Sequence, residues 1–196
     1  MKTEFEAKFC NVNHDEIRAR LKALGGVLAQ PMRLMKRVTI DNEFMKTGKD
    51  AFVRIRDEGN KVTITYKQFD DLSVDGAKEI EIIVDDFDSA VNLFAEVGLP
   101  YRSFQESKRE TWSFKGAEVV LDEWPWLKPY IEIEAESEEH VQAIAQELGF
   151  DWSNAVFGDV MAAYRLQYPH LTEKDTVGNI PRVSFDDPLP ELFTSR

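Results

Sequence analysis

The chain has 196 residues, of which 43 % are hydrophobic, and 13 of them are phenylalanines. This length and composition predict one folded globular domain and exclude an intrinsically disordered chain. With 24 lysines and arginines against 36 aspartates and glutamates, the formal net charge is −12. A surface of that charge repels a nucleic-acid duplex, so an anionic ligand needs a local cluster of cations.

Cysteine usage and the N-terminal sequence bear on the compartment. Cys10 is the single cysteine, which excludes an intrachain disulfide and fits a reducing environment. The N-terminal residues MKTEFEAKF lack the apolar core of a signal peptide, and no apolar run approaches the roughly 18 residues of a membrane span. We therefore expect a cytoplasmic protein, monomeric or homodimeric, with no membrane or nucleic-acid partner.

The first half of the chain alternates strands with a capped helix. Residues 3–9, TEFEAKF, alternate charged and apolar side chains, which predicts a half-buried strand. A helix over residues 13–25 begins at an asparagine N-cap and ends at a glycine. A long strand over residues 27–41 follows, interrupted at Pro31. Two alternating runs within residues 51–69 predict the clearest hairpin.

The second half continues with short strands, hairpins and glycine-terminated helices. In order, the pattern predicts a strand over 77–86, a helix over 86–98, a hairpin over 103–124, a strand over 129–137 and helices over 138–149 and 152–168. These elements make one domain over residues 1–168, with seven or eight mostly antiparallel strands and three or four helices. Residues 169–196 have no sustained period, which predicts an irregular tail, lying on the surface or partly disordered.

Paired like charges recur on one face of several predicted strands. A solvated outer face is the ordinary interpretation of one such strand. Like charges two residues apart repel unless a counter-ion lies between them, so their repetition favours a binding site. Carboxylate pairs suit a divalent metal, and arginine pairs suit phosphate oxygens. The paired blocks are Glu4-x-Glu6-x-Lys8, Arg54-x-Arg56, Glu79-x-Glu81 and Glu132-x-Glu134.

The helices between these strands also constrain the architecture. Their apolar faces must be covered, and the apolar strand faces are the available partner. The charged strand faces then point away from the helices. A sheet curved until those charged faces meet encloses a polar tunnel, which is a barrel with its polar side inward.

The charged blocks, in this order, resemble the CYTH superfamily, also called the triphosphate tunnel metalloenzymes. The family signature E-x-E-x-K is matched by residues 4–8, and the blocks VRIRDEGNKVTITYK, KEIEI, KRETW and VVLDEWPWLKPYIEIEA follow. The resemblance spans residues 3–165. It implies an α+β protein with a closed, eight-stranded antiparallel barrel and helices packed outside, binding a triphosphate together with Mg²⁺ or Mn²⁺.

The resemblance also implies roles for individual residues. The carboxylates implied to bind metal are Glu4, Glu6, Asp122, Glu132 and Glu134. The cations implied to bind phosphate oxygens are Lys8, Arg54, Arg56, Lys67 and Arg109, of which Lys8 and Arg56 also act in catalysis. Glu79 and Glu81 are implied to line the tunnel, where they order the cations or join a second metal site.

The chain departs from the family pattern at several positions, which leaves the substrate open. The cationic block often reads K-x-R in the family, but here serine takes its first place, at Ser107. We expect Arg109 to face the tunnel and Lys108 to point outward. Arg37 stands on a strand that lacks the usual aromatic, and it is a candidate to enter the tunnel. Four tryptophans are expected to pack helices onto the barrel rather than to stack a nucleobase.

Three functions fit these residues. The preferred one is a metal-dependent phosphohydrolase of inorganic tripolyphosphate or of an organic triphosphate such as thiamine triphosphate. A class IV-like adenylate cyclase that makes cyclic AMP needs the same triphosphate clamp, and a non-catalytic polyphosphate- or nucleotide-binding module is the third alternative. Hydrolysis is preferred because it requires a water molecule, whereas cyclisation requires a precisely held ribose.

Overall fold

The computed structural model describes residues 2–70, 73–74 and 77–194. The strands are β1 (Lys2–Cys10), β2 (Val27–Ile40), β3 (Ala51–Asp57), β4 (Val62–Phe69), β5 (Ala77–Val84), β6 (Ser103–Phe114), β7 (Ala117–Trp124), β8 (Leu127–Ala135) and β9 (Arg182–Val183). The α-helices are α1 (His14–Ala23), α2 (Glu43–Lys49), α3 (Phe87–Glu96), α4 (Glu138–Glu147) and α5 (Val160–Gln167). Within the described residues, no helix is long and apolar enough to cross a membrane.

The first eight strands form a closed antiparallel barrel. Their order is β2-β3-β4-β5-β1-β8-β7-β6, and β6 pairs again with β2 to close the ring. Arg37 of β2, for example, lies opposite Arg56 on one side and Gln105 on the other. The pairing of β2 with β6 shifts register between Leu28 and Arg33, around the proline predicted to interrupt that strand. The expected α+β fold with an eight-stranded barrel is confirmed.

Helices cover the outside of the barrel with apolar side chains. Leu21 of α1 and Ile144 of α4 are at most 1 % exposed and pack with Ala7 and Phe9 of β1. Ala90 of α3 packs on the apolar face of β2 and β3. Burying each large apolar side chain contributes about 1.5–3 kcal/mol. Except on β5, where Ile80 and Ile82 are 52 % and 55 % exposed, the apolar strand faces turn toward the helices and the charged faces turn inward.

The helix ends follow the predicted capping signals. The side chain of Asn13 accepts hydrogen bonds from the second and third residues after it, and Asp86 and Ser137 cap α3 and α4 in the same manner. Gly25 and Gly149, which follow α1 and α4, have φ angles of 86° and 82°, which favour glycine. Helix α2 was not predicted, because its seven residues carry no sustained apolar period.

The helix predicted over residues 152–168 is wrong in its first half. Trp152–Asn154 form a 3-10 turn, and the backbone of Val156 pairs with that of Lys8 through two hydrogen bonds of 2.9 Å. Gly158 then takes a φ of 97°, and the side chain of Asp159 caps α5 at Val160–Gln167. The positive φ and the backbone pairing with β1 interrupt the helix, so only its second half forms.

The C-terminal segment, residues 169–194, packs on the barrel more closely than an irregular surface tail. It contains two 3-10 turns, Val177–Asn179 and Glu191–Phe193, and the short strand β9. Strand β9 runs parallel to β6 beside Phe104 and Gln105. The segment therefore pairs with the first part of β6, before the residues of β6 that pair with β7.

Candidate active site in the barrel interior

The barrel encloses a polar cavity with a volume of about 270 Å³. Its lining comes from inward-facing side chains of the barrel strands, together with Lys61 of the β3–β4 turn and with Asp159 and Val160 at the start of α5. Except for Asp122, every residue predicted for the site lines this cavity: Glu4, Glu6, Lys8, Arg54, Arg56, Lys67, Glu79, Glu81, Arg109, Glu132 and Glu134. The repeated charged faces therefore line the cavity, although Glu81 is also exposed to solvent.

Strand β1 brings acidic and basic groups into the cavity through its two-residue alternation. Glu4, Glu6 and Lys8 are 6 %, 5 % and 3 % exposed, whereas a solvated strand face would leave them open to water. Antiparallel pairing with β8 sets Glu6 opposite Glu134 and Lys8 opposite Glu132. The cross-strand register thus gathers carboxylates from two neighbouring strands on one side of the barrel, which we call the carboxylate wall.

Two lysines lie between the carboxylates of this wall. The ammonium of Lys8 is 3.3 Å from Glu6 and 3.2 Å from Glu132. The ammonium of Lys67, from β4, is 2.8 Å from Glu4 and 3.7 Å from Glu6. Lys8 also donates a hydrogen bond of 2.6 Å to the carbonyl of Gly158. Each ammonium therefore offsets part of the repulsion among the acidic groups.

The pKa values of the wall reflect this crowding. Burial raises the pKa of Glu6 to about 7, and its carboxyl shares a hydrogen bond with Glu132. Burial, with a hydrogen bond to Glu4, likewise raises the pKa of Glu79 to about 7. For Glu132, burial is outweighed by the charges of Lys8 and the other nearby cations, which lower its pKa. The acidic groups are thus close enough to share hydrogen bonds, Glu6 with Glu132 and Glu4 with Glu79.

The donor chemistry of this wall fits a hard divalent cation. Carboxylate oxygens are the ligands that Mg²⁺ and similar ions take in proteins. Among the described residues, no three His, Cys, Asp or Glu side chains converge as a ready metal site. The two ammonium groups lie between the carboxylates, so a metal here requires Lys8 and Lys67 to move toward another anion.

Guanidinium groups from β3 form the opposite side of the cavity. Arg54 is 9 % exposed, and its nearest contacts are Thr65 Oγ1 at 3.3 Å and Glu81 at 3.9 Å. Its Nε, like that of Arg56, is buried without a hydrogen-bond partner among the described residues. Burial and the charge of Arg56 lower the pKa of Arg54 to about 10. Donors left unpaired at such a depth mark a place where an anion would be stabilised.

A carboxylate in the β3–β4 turn, Glu58, forms ion pairs with cations on this side of the cavity, and the sequence analysis did not predict this role. Glu58 is 5 % exposed and lies 2.5 Å from Arg56, 3.6 Å from Arg33 and 3.8 Å from Lys61. Burial would raise the pKa of Glu58, but Arg56 and Lys61 outweigh it and lower that pKa. Glu58 follows Arg56 by two residues, yet its position within a turn gave no signal of this role.

Asp122 lies behind Arg109 rather than in the cavity lining. The guanidinium of Arg109 donates Nε to Oδ1 at 2.7 Å and Nη2 to Oδ2 at 2.6 Å, a bidentate pair across strands β6 and β7. Asp122 is 1 % exposed. Both of its oxygens are therefore engaged, and the direct effect of Asp122 is to fix the orientation of Arg109.

We expect Asp122→Asn to lower the free energy of unfolding by about 3–5 kcal/mol, because it leaves the Arg109 guanidinium without its carboxylate in a buried place. Urea denaturation measures this loss. Asp186→Asn is the matched control, since Asp186 is exposed and such surface changes stay within about 0.5 kcal/mol. A loss for Asp122→Asn no larger than that of the control would contradict the structural importance of the pair.

The remaining expectations about side-chain direction are met. Arg37 lines the cavity, with its guanidinium 4.3 Å above the ring of Trp124. Lys108 points outward, 3.9 Å from Glu123, with its ammonium 4.6 Å over the ring of Phe185. Trp112, Trp126 and Trp152 contact buried apolar groups. Trp124 also packs in the core, and in addition it lines the cavity.

The fold resembles several solved structures. A protein from Pyrococcus horikoshii OT3 is 22 % identical with a TM-score of 0.65, and the match covers 78 % of this chain and 93 % of that chain. A putative adenylate cyclase from Vibrio parahaemolyticus is 14 % identical with a TM-score of 0.68, covering 83 % and 98 %. A putative adenylyl cyclase from Hippeastrum, described as having a dominant triphosphatase activity, is 16 % identical with a TM-score of 0.56, covering 87 % and 98 %.

At these identities the likeness shows a shared fold. No curated protein matches the chain at a significant level. The sequence model of the CYTH domain matches residues 2–154, which is most of the chain and includes all eight barrel strands. Together with the inward-facing charged blocks that suggested the resemblance, this match shows that the chain belongs to the CYTH family.

Proposed function

We propose that this protein is a divalent-metal-dependent phosphohydrolase that acts on a triphosphate bound inside the barrel. The observation that carries the proposal is the opposition of two walls in one cavity. The carboxylate wall faces guanidinium groups whose buried Nε atoms have no partner among the described residues. A polyphosphate with its metal is the class of ligand that complements both walls at once.

The cations of the cavity would bind the phosphate oxygens. Arg54 and Arg56 offer planar forks that match the oxygens of a phosphate, and Lys8 and Lys67 add compact charge. Arg109 is proposed to contact the phosphate with the part of its guanidinium that Asp122 does not engage. The chain as a whole carries a net charge of −12, so this local cluster is what would hold a polyanion against the protein's field. Lys8 and Arg56 are proposed to neutralise the charge that shifts during transfer of the terminal phosphoryl group.

The carboxylate wall would hold the metal. Glu4, Glu6, Glu132 and Glu134 are the proposed ligands of Mg²⁺ or Mn²⁺, which when bound would supply Lewis-acid charge to the phosphate oxygens. Glu79 is proposed to extend the same wall. Asp122 is proposed to act through Arg109, since that arginine engages both of its oxygens. When a triphosphate enters, Lys8 and Lys67 would exchange carboxylate oxygens for phosphate oxygens.

Cyclisation of ATP is the second candidate, because adenylate cyclase appears in the names of similar structures. One feature of this chain favours hydrolysis over it. The face of Trp124 inside the cavity is covered by the guanidinium of Arg37, so a nucleobase has no free aromatic face at that position. Hydrolysis needs no base or ribose site, and the Hippeastrum protein is itself described as having a dominant triphosphatase activity.

A turnover screen tests the proposal. The purified chain is incubated with tripolyphosphate, thiamine triphosphate or ATP and with Mg²⁺, Mn²⁺ or excess chelator, and the products are identified by chromatography. We expect metal-dependent release of phosphate that chelation abolishes and that added metal restores. Cyclic AMP as the main product would support the cyclase instead. Binding of tripolyphosphate without turnover in either metal would support a binding module, and full turnover in chelator would overturn the metal requirement.

A further inference from the structure

Arg37 is a half-buried cation that lines the cavity, and the charge of Asp159 attracts it from beyond ion-pair distance. Its Nε donates a hydrogen bond of 2.8 Å to Gln105 Oε1, and its guanidinium lies over Trp124. No carboxylate of the described residues forms an ion pair with it, in contrast to Arg109, which Asp122 neutralises. Burial, together with the charges of Arg54 and Arg56, lowers the pKa of Arg37 to about 9. Burial and the neighbouring cations therefore disfavour the charged form of Arg37.

The amide of Gln105 has an orientation that the hydrogen bonds determine. Arginine can only donate, so Gln105 must present its oxygen to Arg37 and its NH₂ group to the other side. On that side Gln105 Nε2 donates to Ser103 Oγ at 3.1 Å. Both residues are fully buried, at 1 % and 0 % exposed, so no solvent competes for these bonds.

Ser103 can accept this bond because its own proton goes to the C-terminal segment. Ser103 Oγ lies 2.6 Å from the carbonyl of Ile180 and 3.2 Å from that of Val177. A carbonyl can only accept, so the hydroxyl donates to it and leaves its lone pairs for Gln105. Each group thus donates to the next, from Arg37 through Gln105 and Ser103 to the carbonyl of Ile180.

The backbone of the C-terminal segment holds this series in place. Phe104 donates its backbone N–H to the carbonyl of Pro181 at 3.0 Å, and Gln105 lies opposite Val183 in the parallel pairing of β6 with β9. These contacts come from residues 177–183, which lie outside the residues 2–154 that match the CYTH domain. The residues that hold this series therefore lie outside the part of the chain that the CYTH model matches.

We propose that Arg37 is a further anion-binding residue of the cavity and that residues 177–183 position it through Ser103 and Gln105. Arg37 lies opposite Arg56 in the β2–β3 register, so the three guanidinium groups of Arg37, Arg54 and Arg56 surround one part of the cavity. A phosphate group of the bound polyanion would pair with Arg37 there. The identity of the anion as a polyphosphate rests on the proposed function, whereas the positioning of Arg37 rests on the contacts described above.

The binding arm of the test uses tripolyphosphate in excess chelator, measured by calorimetry, so that it requires no turnover. Arg37→Gln is expected to weaken binding at least about tenfold, because it removes a desolvated charge from an anion site. Lys36→Gln is the matched control, since it removes the same charge from the adjacent, exposed residue of β2. It is expected to change binding less than about twofold. Equal losses for the two variants would overturn a direct role for Arg37.

The positioning arm uses Gln105→Met and Ser103→Ala, which remove the hydrogen bonds without removing a charge. Each is expected to weaken binding about three- to tenfold in the presence of Arg37 and to have no further effect in the Arg37→Gln background. Losses that persist in that background would show a general structural effect and overturn the positioning role. A chain that binds through Arg37 yet turns over no triphosphate would refute the proposed hydrolase while leaving this inference standing.

Discussion

Glu4→Gln is expected to reduce metal-dependent release of phosphate from tripolyphosphate by at least about 100-fold, since even the groups behind metal ligands are worth about 10–100-fold. The substitution keeps the size of the side chain and removes the charge of one proposed metal ligand from the carboxylate wall. It also removes the charged partner of Lys67 in Glu4, so that Glu6, 3.7 Å from the ammonium of Lys67 in the structure, is the remaining acidic contact in that wall. Initial rates across a Mg²⁺ or Mn²⁺ titration measure the effect.

The matched control is Glu96→Gln, because Glu96 is exposed at the end of α3, on the outside of the barrel. We expect its rates to equal those of the unmodified protein. Thermal unfolding of both variants separates a lost ligand from a lost fold. If Glu4→Gln retains full activity at every metal concentration, Glu4 is not a ligand and the carboxylate wall has another role.

Arg54→Ala is expected to weaken tripolyphosphate binding by roughly 2–5 kcal/mol, the range for removing one partner of a buried charge pair. Arg54 is the stronger choice over Arg56 because Arg56 already has a close carboxylate in Glu58, at 2.5 Å, whereas the closest ion pair of Arg54 with a described residue is at 3.9 Å. Calorimetry in chelator measures the loss. Lys108→Ala, which removes an outward-facing cation, is the control and is expected to change binding little.

The same variant has an opposite expected effect on the ligand-free protein. Arg54 is buried beside Arg56, and burial together with this neighbour lowers its pKa, so its removal relieves a like-charge repulsion. We expect the melting temperature without ligand to stay equal or rise, and the increase caused by tripolyphosphate to shrink. A lower melting temperature together with unchanged binding would show that Arg54 is structural.

Much of the barrel and its interior was readable from the sequence because the signals are local. In Glu4-x-Glu6-x-Lys8 and Arg54-x-Arg56, the two-residue period of a strand is enough to put the charges on one face. Apolar residues between them, such as Ala7, identify the opposite face that the helices cover. Asparagine and serine caps and the terminal glycines located the ends of α1 and α4 for the same reason, since a cap bonds to residues two or three positions away.

Features decided by tertiary structure depend on residues far apart in the chain. The residues around Asp122 in the sequence do not indicate that it pairs with Arg109 across a hairpin. Both of its oxygens bind Arg109, so it does not line the cavity. Pairing of Val156 with Lys8 interrupts a helix that the local pattern favours.

The C-terminal segment is the clearest case of a feature that only the tertiary structure decided. Its sequence has no hydrophobic period, because its position is fixed by other contacts. The carbonyl of Ile180 accepts a hydrogen bond from Ser103, and the two-residue strand β9 pairs beside Gln105. The sequence by itself thus determined which strand faces are charged. The closed barrel decided which of those charges form ion pairs with each other, as Arg109 and Asp122 do, and which, like Arg37, form none with the described residues, because pairing depends on cross-strand register and not on sequence spacing.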